Sequence, residues 1–163
     1  MEKPINTLFM PMSVDDNRIE IVPITVDDFQ FGYDIRKLTM EEHISKTYGE
    51  WNENKQMESC KKYFSLEKRF VIKYFDKKIG WLMFEENETD IDLIQIFIHP
   101  EYQGKGIGSK IINNLIIIGK DKNKEIILDV LKSNYKAKKL YLKLGFKIYN
   151  ETETEYFLKY EIE

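Results

Sequence analysis

Three of the chain's eight glycines, Gly104, Gly106 and Gly108, fall within five residues, in the run Gln103-Gly104-Lys105-Gly106-Ile107-Gly108. Glycine lets the backbone take φ > 0 and lets a ligand approach the main chain. An apolar segment, 94–98, precedes the run. Ile107, Ile111, Ile112, Leu115 and Ile116 follow it at helical spacing. The unit therefore reads as strand, Gly-rich loop, helix. The first turn of a helix offers unpaired N–H groups and the positive end of the macrodipole, which suits a phosphate or pyrophosphate. A Walker loop needs Lys-Ser or Lys-Thr after its last Gly, and Ser109-Lys110 stands in the reverse order. The dinucleotide fingerprint asks for Gly or Ala where Ser109 stands. It also wants the loop directly after the strand, whereas His99-Pro100-Glu101-Tyr102 intervene. Asp129, about 20 residues downstream, keeps a nucleotide-cofactor reading open on this stretch alone.

The stretch 98–108 resembles the acetyl-CoA loop of the GNAT superfamily, the acyl-CoA-dependent N-acetyltransferases. That motif is Gln/Arg-x-x-Gly-x-Gly/Ala, matched by Gln103, Gly106 and Gly108. A second family motif follows in the right order: Asn134-x-x-Ala137-x-x-x-Tyr141-x-x-x-Gly145-Phe146. The likeness covers about residues 19–160, close in the C-terminal half and loose before Val71.

The resemblance implies a role for each matching position. Gln103, Gly104, Lys105, Gly106, Ile107, Gly108 and Ser109 would hold the pyrophosphate of acetyl-CoA. Main-chain groups at Ile96, Phe97 and Ile98 would bond the pantetheine and aim an N–H at the thioester carbonyl, as an oxyanion hole. Asn134 would orient the pantetheine amides. Tyr141 would protonate the leaving thiolate: a thiol pKa near ~8.5 and a phenol near ~10 make that transfer feasible. The other reading of Tyr141 is core packing beside Leu140 and Leu144. An amine of pKa ~10.4 is almost wholly protonated at neutral pH, so a base is needed. Asp92, eleven residues before Gln103, stands where some family members place a basic carboxylate. Glu85 is the runner-up, and a water relay is a third route. Gln95 reads equally as a satisfied polar residue or a substrate contact.

The elements that must position these residues follow from pattern. A strand at 18–25 precedes Thr25-x-x-Asp28, a capping-box variant that opens a helix over about 27–40. A second helix, about 40–64, carries Tyr48, Trp51, Met57 and Tyr63, and reads as a surface pair or as a wall of the acceptor pocket. Strands are expected at 69–75, 79–85 and 91–98, with a turn at Asp76-Lys77-Lys78. The loop and a helix to about Lys120 come next, then a short buried strand at 125–130. Ser133 is the expected N-cap of a helix through Leu144, and strands at 146–149 and 155–162 close the sheet. The order predicts an α/β (α+β) fold, and the resemblance implies a mixed, mostly antiparallel central sheet flanked by helices. Residues 1–163 read as one domain, with 1–18 a tail or an added edge segment.

Composition narrows the rest. Charged residues make up 33% and hydrophobic ones 42%, with a net charge of −3; this argues against a nucleic-acid surface. Apolar runs fall short of the ~20 residues that span a bilayer. The single Cys60 and the two isolated histidines, His43 and His99, indicate neither a disulfide nor a metal site. A cytoplasmic setting is the default, and a homodimer is allowed for. The expected activity is transfer of an acetyl group from acetyl-CoA to a primary amine of a small molecule or an amino terminus. A non-catalytic acyl-CoA sensor of the same fold is the alternative, which would have no need of Tyr141. A nucleotide-cofactor oxidoreductase would place the loop after a parallel first strand, which the element order contradicts.

Overall fold

The structure, a computed structural model, describes Met12 and residues 14–163. One seven-stranded sheet runs through it. Its strands are β1 (Ile19–Pro23), β2 (Arg69–Tyr74), β3 (Lys77–Glu86), β4 (Asp90–Ile98), β5 (Glu125–Leu131), β6 (Lys147–Glu151) and β7 (Glu155–Tyr160). Their spatial order is β1-β2-β3-β4-β5-β7-β6. Every pairing is antiparallel except β4 with β5, which is parallel. The sheet is mixed and mostly antiparallel, as expected.

Helices cover both faces. Helices α3 (Ile107–Lys122) and α4 (Tyr135–Lys143) pack Ile111, Ile112, Leu115 and Tyr141 on Leu82, Ile91, Leu93, Ile126, Leu128 and Leu158. Helices α1 (Phe29–Tyr48) and α2 (Glu53–Tyr63) lie on the other face, where Ile35 meets Val71, Trp81 and Phe97. Alternation along the strands sends Ile91 and Leu93 to one face and Asp92 to the other. Gly80 allows a close approach: a Cβ there would meet the Phe97 carbonyl oxygen at 2.4 Å.

Several boundaries differ from the sequence reading. No break occurs near residue 40; no Gly or Pro falls between residues 33 and 48, and α1 runs on to Tyr48 and stops at Gly49, whose φ is 95°. α2 opens at Asn52, whose side chain accepts the Lys55 N–H, and is shorter than expected. Thr25 and Asp28 do form their box, around a 3-10 turn, Val26–Asp28, that leads into α1. The β2–β3 turn is Phe75-Asp76, both at positive φ, one residue before the expected position. The N-cap of α4 is Asn134, whose Oδ1 accepts the Ala137 N–H at 3.2 Å, and not Ser133. Ser133 turns instead to α1, 3.1 Å from the Thr47 hydroxyl. Residues 14–18 are no tail: Val14 is in the core, and Asp16 binds both Arg18 and Lys110. Residues 1–11 and 13 lie outside the described residues.

Candidate active site

The parallel strands β4 and β5 stay together for three residues, from Asp90↔Glu125 to Asp92↔Ile127. Beyond that they part, and a gap opens in the middle of the sheet. A bulge at Ile94 accompanies the split, since Met83 pairs Gln95 while Phe84 pairs Leu93. An extra residue on one strand bends it and increases the local twist, which turns β4 away from β5.

After the bulge the main chain alternates. His99 N–H donates to Ile79 C=O on β3, so Phe97 also turns its N–H and C=O to β3. Ile96 and Ile98 turn theirs to the gap. Of the three expected contact positions, Phe97 is therefore removed: its main chain is committed to Trp81. The Ile98 carbonyl is taken as well, by the Gln103 amide at 2.8 Å. What remains toward the gap is Ile96 N–H and C=O and Ile98 N–H. Gln103 also accepts from Lys136 at 3.1 Å, so its side chain ties the loop to β4 and α4.

The loop sits at the open end of the gap. Gly104 (φ 73°) and Gly106 (φ 81°) are both left-handed. The first bond of α3 is Lys110 N–H to Gly106 C=O. The N–H groups of residues 104–109 find no acceptor among the described residues. Six consecutive free donors at the start of a 16-residue helix form an anion-binding concavity. Lys105 is exposed, over the Tyr102 ring at 5.3 Å.

Tyr141, on α4, sits in the core cluster with its ring 5.9 Å from that of Phe146. It is 8% exposed, and its hydroxyl bonds no group among the described residues. Burial, then the charge of Asp129, pushes its pKa up to about 12. That value weakens the expectation of an easy proton transfer based on an ordinary phenol near ~10. Asn134 caps α4 through its Oδ1, and its amide N–H groups stay free to donate.

Asp92 lies at the last pair before the split. Burial, with smaller contributions from Asp129, Asp90 and Glu85, raises its pKa to about 6. Asp129 sits two residues past the last pair, on the same sheet face. It opens to the gap, yet the surrounding protein desolvates it enough to raise its pKa too. Glu155, from β7, is raised by burial and by Asp129. Glu85 is paired with Lys68. Asp129 and Glu155 had no assigned part in acyl transfer from sequence. Their signal was the alternation Ile126, Leu128, Val130, which leaves Asp129 on the face opposite the core.

On that same face, α1, α2 and β2–β4 enclose a pocket of about 180 Å³. Arg36, Tyr63 and Arg69 are among its walls, and Trp81, Gln95 and Phe97 form its floor. Gln95 thus lines a pocket, which favours the contact reading over mere satisfaction. A larger hollow of about 350 Å³ at the α1–α2 turn involves only residues 50–54 and shares none with the split. Among the described residues no helix is long and apolar enough to cross a membrane, and no cluster could hold a metal ion.

Known proteins resemble this chain in sequence and in fold. Residues 33–146 match the sequence profile of the acetyltransferase (GNAT) family. Pig thialysine N-epsilon-acetyltransferase is 40% identical over 73 residues, 44% of this chain and 43% of that protein. The match thus spans less than half of that relative. Spermine/spermidine N(1)-acetyltransferase of Bacillus subtilis is 27% identical over 150 residues, covering 85% of this chain and 87% of that one. Among solved structures, PaiA N-acetyltransferase from Thermoplasma acidophilum in complex with coenzyme A superposes with a TM-score of 0.71 at 18% identity. It covers 88% of this chain and 98% of that one. A GNAT-family acetyltransferase from Bacillus anthracis gives 0.66 at 16% identity, covering 91% and 97%. At such identities these two likenesses concern the fold alone.

Proposed function

The chain belongs to the acetyltransferase (GNAT) family, and from that premise we propose that it moves an acetyl group from acetyl-CoA to a primary amine of a small molecule. The observation that carries this reading is the row of six N–H donors at 104–109, without acceptors among the described residues, at the end of β4 beyond its split from β5. Relatives named for thialysine and for spermine or spermidine support an amine acceptor. The similar PaiA structure in complex with coenzyme A supports the donor.

In this reading the loop amides take the pyrophosphate, with Asn134 on the pantetheine. Asp92, in its carboxylate form, accepts the proton of the incoming ammonium. The freed nitrogen attacks the thioester carbon, and the carbonyl oxygen takes on negative charge. The N–H of Ile96 or Ile98 donates to that oxyanion. As the intermediate collapses, the C–S bond breaks and the sulfur draws a proton from Tyr141. With a phenol near 12 facing a thiol near ~8.5, full transfer is uphill by about 5 kcal/mol. Tyr141 therefore acts chiefly as a hydrogen-bond donor to the departing sulfur, with the proton completed from the attacking nitrogen through solvent. Net, ammonium and thioester become amide, free thiol and one proton.

The test is thiol release from acetyl-CoA across a panel of amines, with acetylated product identified by mass. Turnover with at least one amine is expected. Tight acetyl-CoA binding without turnover of any amine would favour the sensor instead.

A further inference from the structure

Only three of the chain's 25 basic residues are arginine, and the rest are lysine. Arg18 is spent on a bidentate pair with Asp16. The other two, Arg36 and Arg69, both line the pocket beneath α1 and α2. Among the described residues neither meets a carboxylate. Arg36 donates to the neutral Gln56 and lies over the Trp51 ring at 5.2 Å. Arg69 donates to the carbonyls of Tyr63 and Ser65. A guanidinium has five N–H donors, so each keeps at least three without an acceptor among the described residues. Neither Asp nor Glu is among the lining residues. Burial lowers the pKa of Arg69, as expected for a half-buried cation without a counter-ion. A planar fork with open donors is the protein's usual means of holding a carboxylate.

The opposite charge gathers at the other end of the same sheet face, where Asp92, Asp129, Glu85 and Glu155 stand around the split. The register gives the separation. Arg69, Met83 and Gln95 form one row across three strands, and Asp92 lies three residues back along β4. Strand spacing and rise place the Arg69 and Asp92 Cα atoms about 13 Å apart. Met83 and Gln95 stand in the row shared with Arg69, and Trp81 and Phe97 form the next row on the side away from Asp92.

We infer that the acceptor is a small amino acid whose primary amine and carboxylate are separated by a short aliphatic chain, with the carboxylate on Arg36 and Arg69 and the amine at Asp92. This deepens the transferase reading and rests on it. A polyamine, cationic along its length, would meet two uncompensated guanidiniums in this pocket.

A matched pair of probes tests it: L-lysine and 1,5-diaminopentane, which differ by the carboxylate alone. The expected kcat/KM for lysine is at least about 10-fold higher, with the side-chain nitrogen acetylated, since removing a charged hydrogen-bond partner costs about that much. Arg36→Gln and Arg69→Gln should each raise KM for lysine about 10-fold and lower that of the diamine, which loses a like charge in the pocket. The diamine reaction doubles as the check that each variant is folded. Equal or better use of the diamine by the wild type overturns the inference while leaving the transferase reading intact. So does an equal loss on both substrates in the variants, which would mark the arginines as clamps between α1, α2 and β2. If neither probe is acetylated, titration calorimetry on the protein saturated with coenzyme A decides. Tighter binding of lysine than of the diamine keeps the carboxylate site and leaves the transferase reading to the amine panel; no preference rejects the site.

Discussion

Asp92 on β4 and Asp129 on β5 share one face of the sheet at the point where the two strands part, and the charge of Asp129 adds to burial in holding the Asp92 pKa at about 6. A carboxylate at that value is ionised at neutral pH yet a far better proton acceptor than one near ~4. If Asp92 takes the proton of the ammonium, the rate should rise with pH through an acidic limb centred near 6. Asp92→Asn should remove that limb and lower kcat by about 10²-fold at pH 7. The deficit should shrink toward pH 10, where the amine deprotonates unaided. Initial rates from pH 5 to pH 10 on both proteins check this; an unchanged profile would take Asp92 out of the mechanism.

The same crowding has a cost in stability, and its sign is fixed. The folded-state pKa of Asp92 lies above the unfolded value of 3.8. The folded protein therefore binds the proton more tightly. The associated stability is fully present below about pH 4 and is lost as pH rises through 6. Asp92→Asn carries no charge to desolvate. It should be more stable than the wild type at pH 7, by roughly 2 kcal/mol, and the gain should vanish below about pH 4. Denaturant melts at pH 4 and pH 7 read the difference. A variant less stable at pH 7 would show that the carboxylate makes favourable contacts.

Tyr141→Phe separates a catalytic phenol from a packing one. The ring contact with Phe146 survives the change, and the hydroxyl has no partner to lose among the described residues. Stability should move by less than about 0.5 kcal/mol. If the hydroxyl steadies the departing sulfur, kcat should fall about 10²-fold, with affinity for acetyl-CoA little changed. With the phenol near 12, Tyr141 stays protonated through ordinary assay conditions. The wild-type rate should then show no decline from this group below pH 10. A wild-type kcat in the Phe variant would leave Tyr141 as a core residue.

Much of this was legible in the sequence, for physical reasons that differ by element. The loop was legible because left-handed backbone at Gly104 and Gly106 admits few other residues. The core face of α3 was legible because Ile111, Ile112, Leu115 and Ile116 must all reach one sheet. The extent of α1 was not, since residues 38–42 carry no Gly or Pro to decide for or against a break. Asn134 and Ser133 are both good N-caps, and only the contact of Ser133 with Thr47 tells them apart. The availability of Ile96 and Ile98, but not Phe97, depends on strand register, which the bulge at Ile94 sets and one strand's sequence does not encode. Asp129 and the two pocket arginines acquire meaning only from residues far off in the chain. No local pattern could single them out.

The phosphate site offers the sharpest test, because charge and shape can be varied separately at Gly106. Its φ of 81° is left-handed, and a Cβ added there would meet nothing within 4 Å. Any side chain thus carries conformational strain of about 1 kcal/mol but no clash. Asp and Asn both tolerate this conformation and have the same shape. Gly106→Asn should bind coenzyme A with a modest loss, about 10-fold or less. Gly106→Asp sets a carboxylate beside the free N–H row of residues 104–109, where it repels the pyrophosphate and competes for the donors. Its affinity should fall by at least a further 10-fold, and the gap between the two variants should narrow in high salt. Thermal melts should place both variants close together, so that the difference in binding reports charge alone. Titration calorimetry with coenzyme A measures it. Equal affinities for the Asp and Asn variants would mean that the phosphates bind away from residues 104–109.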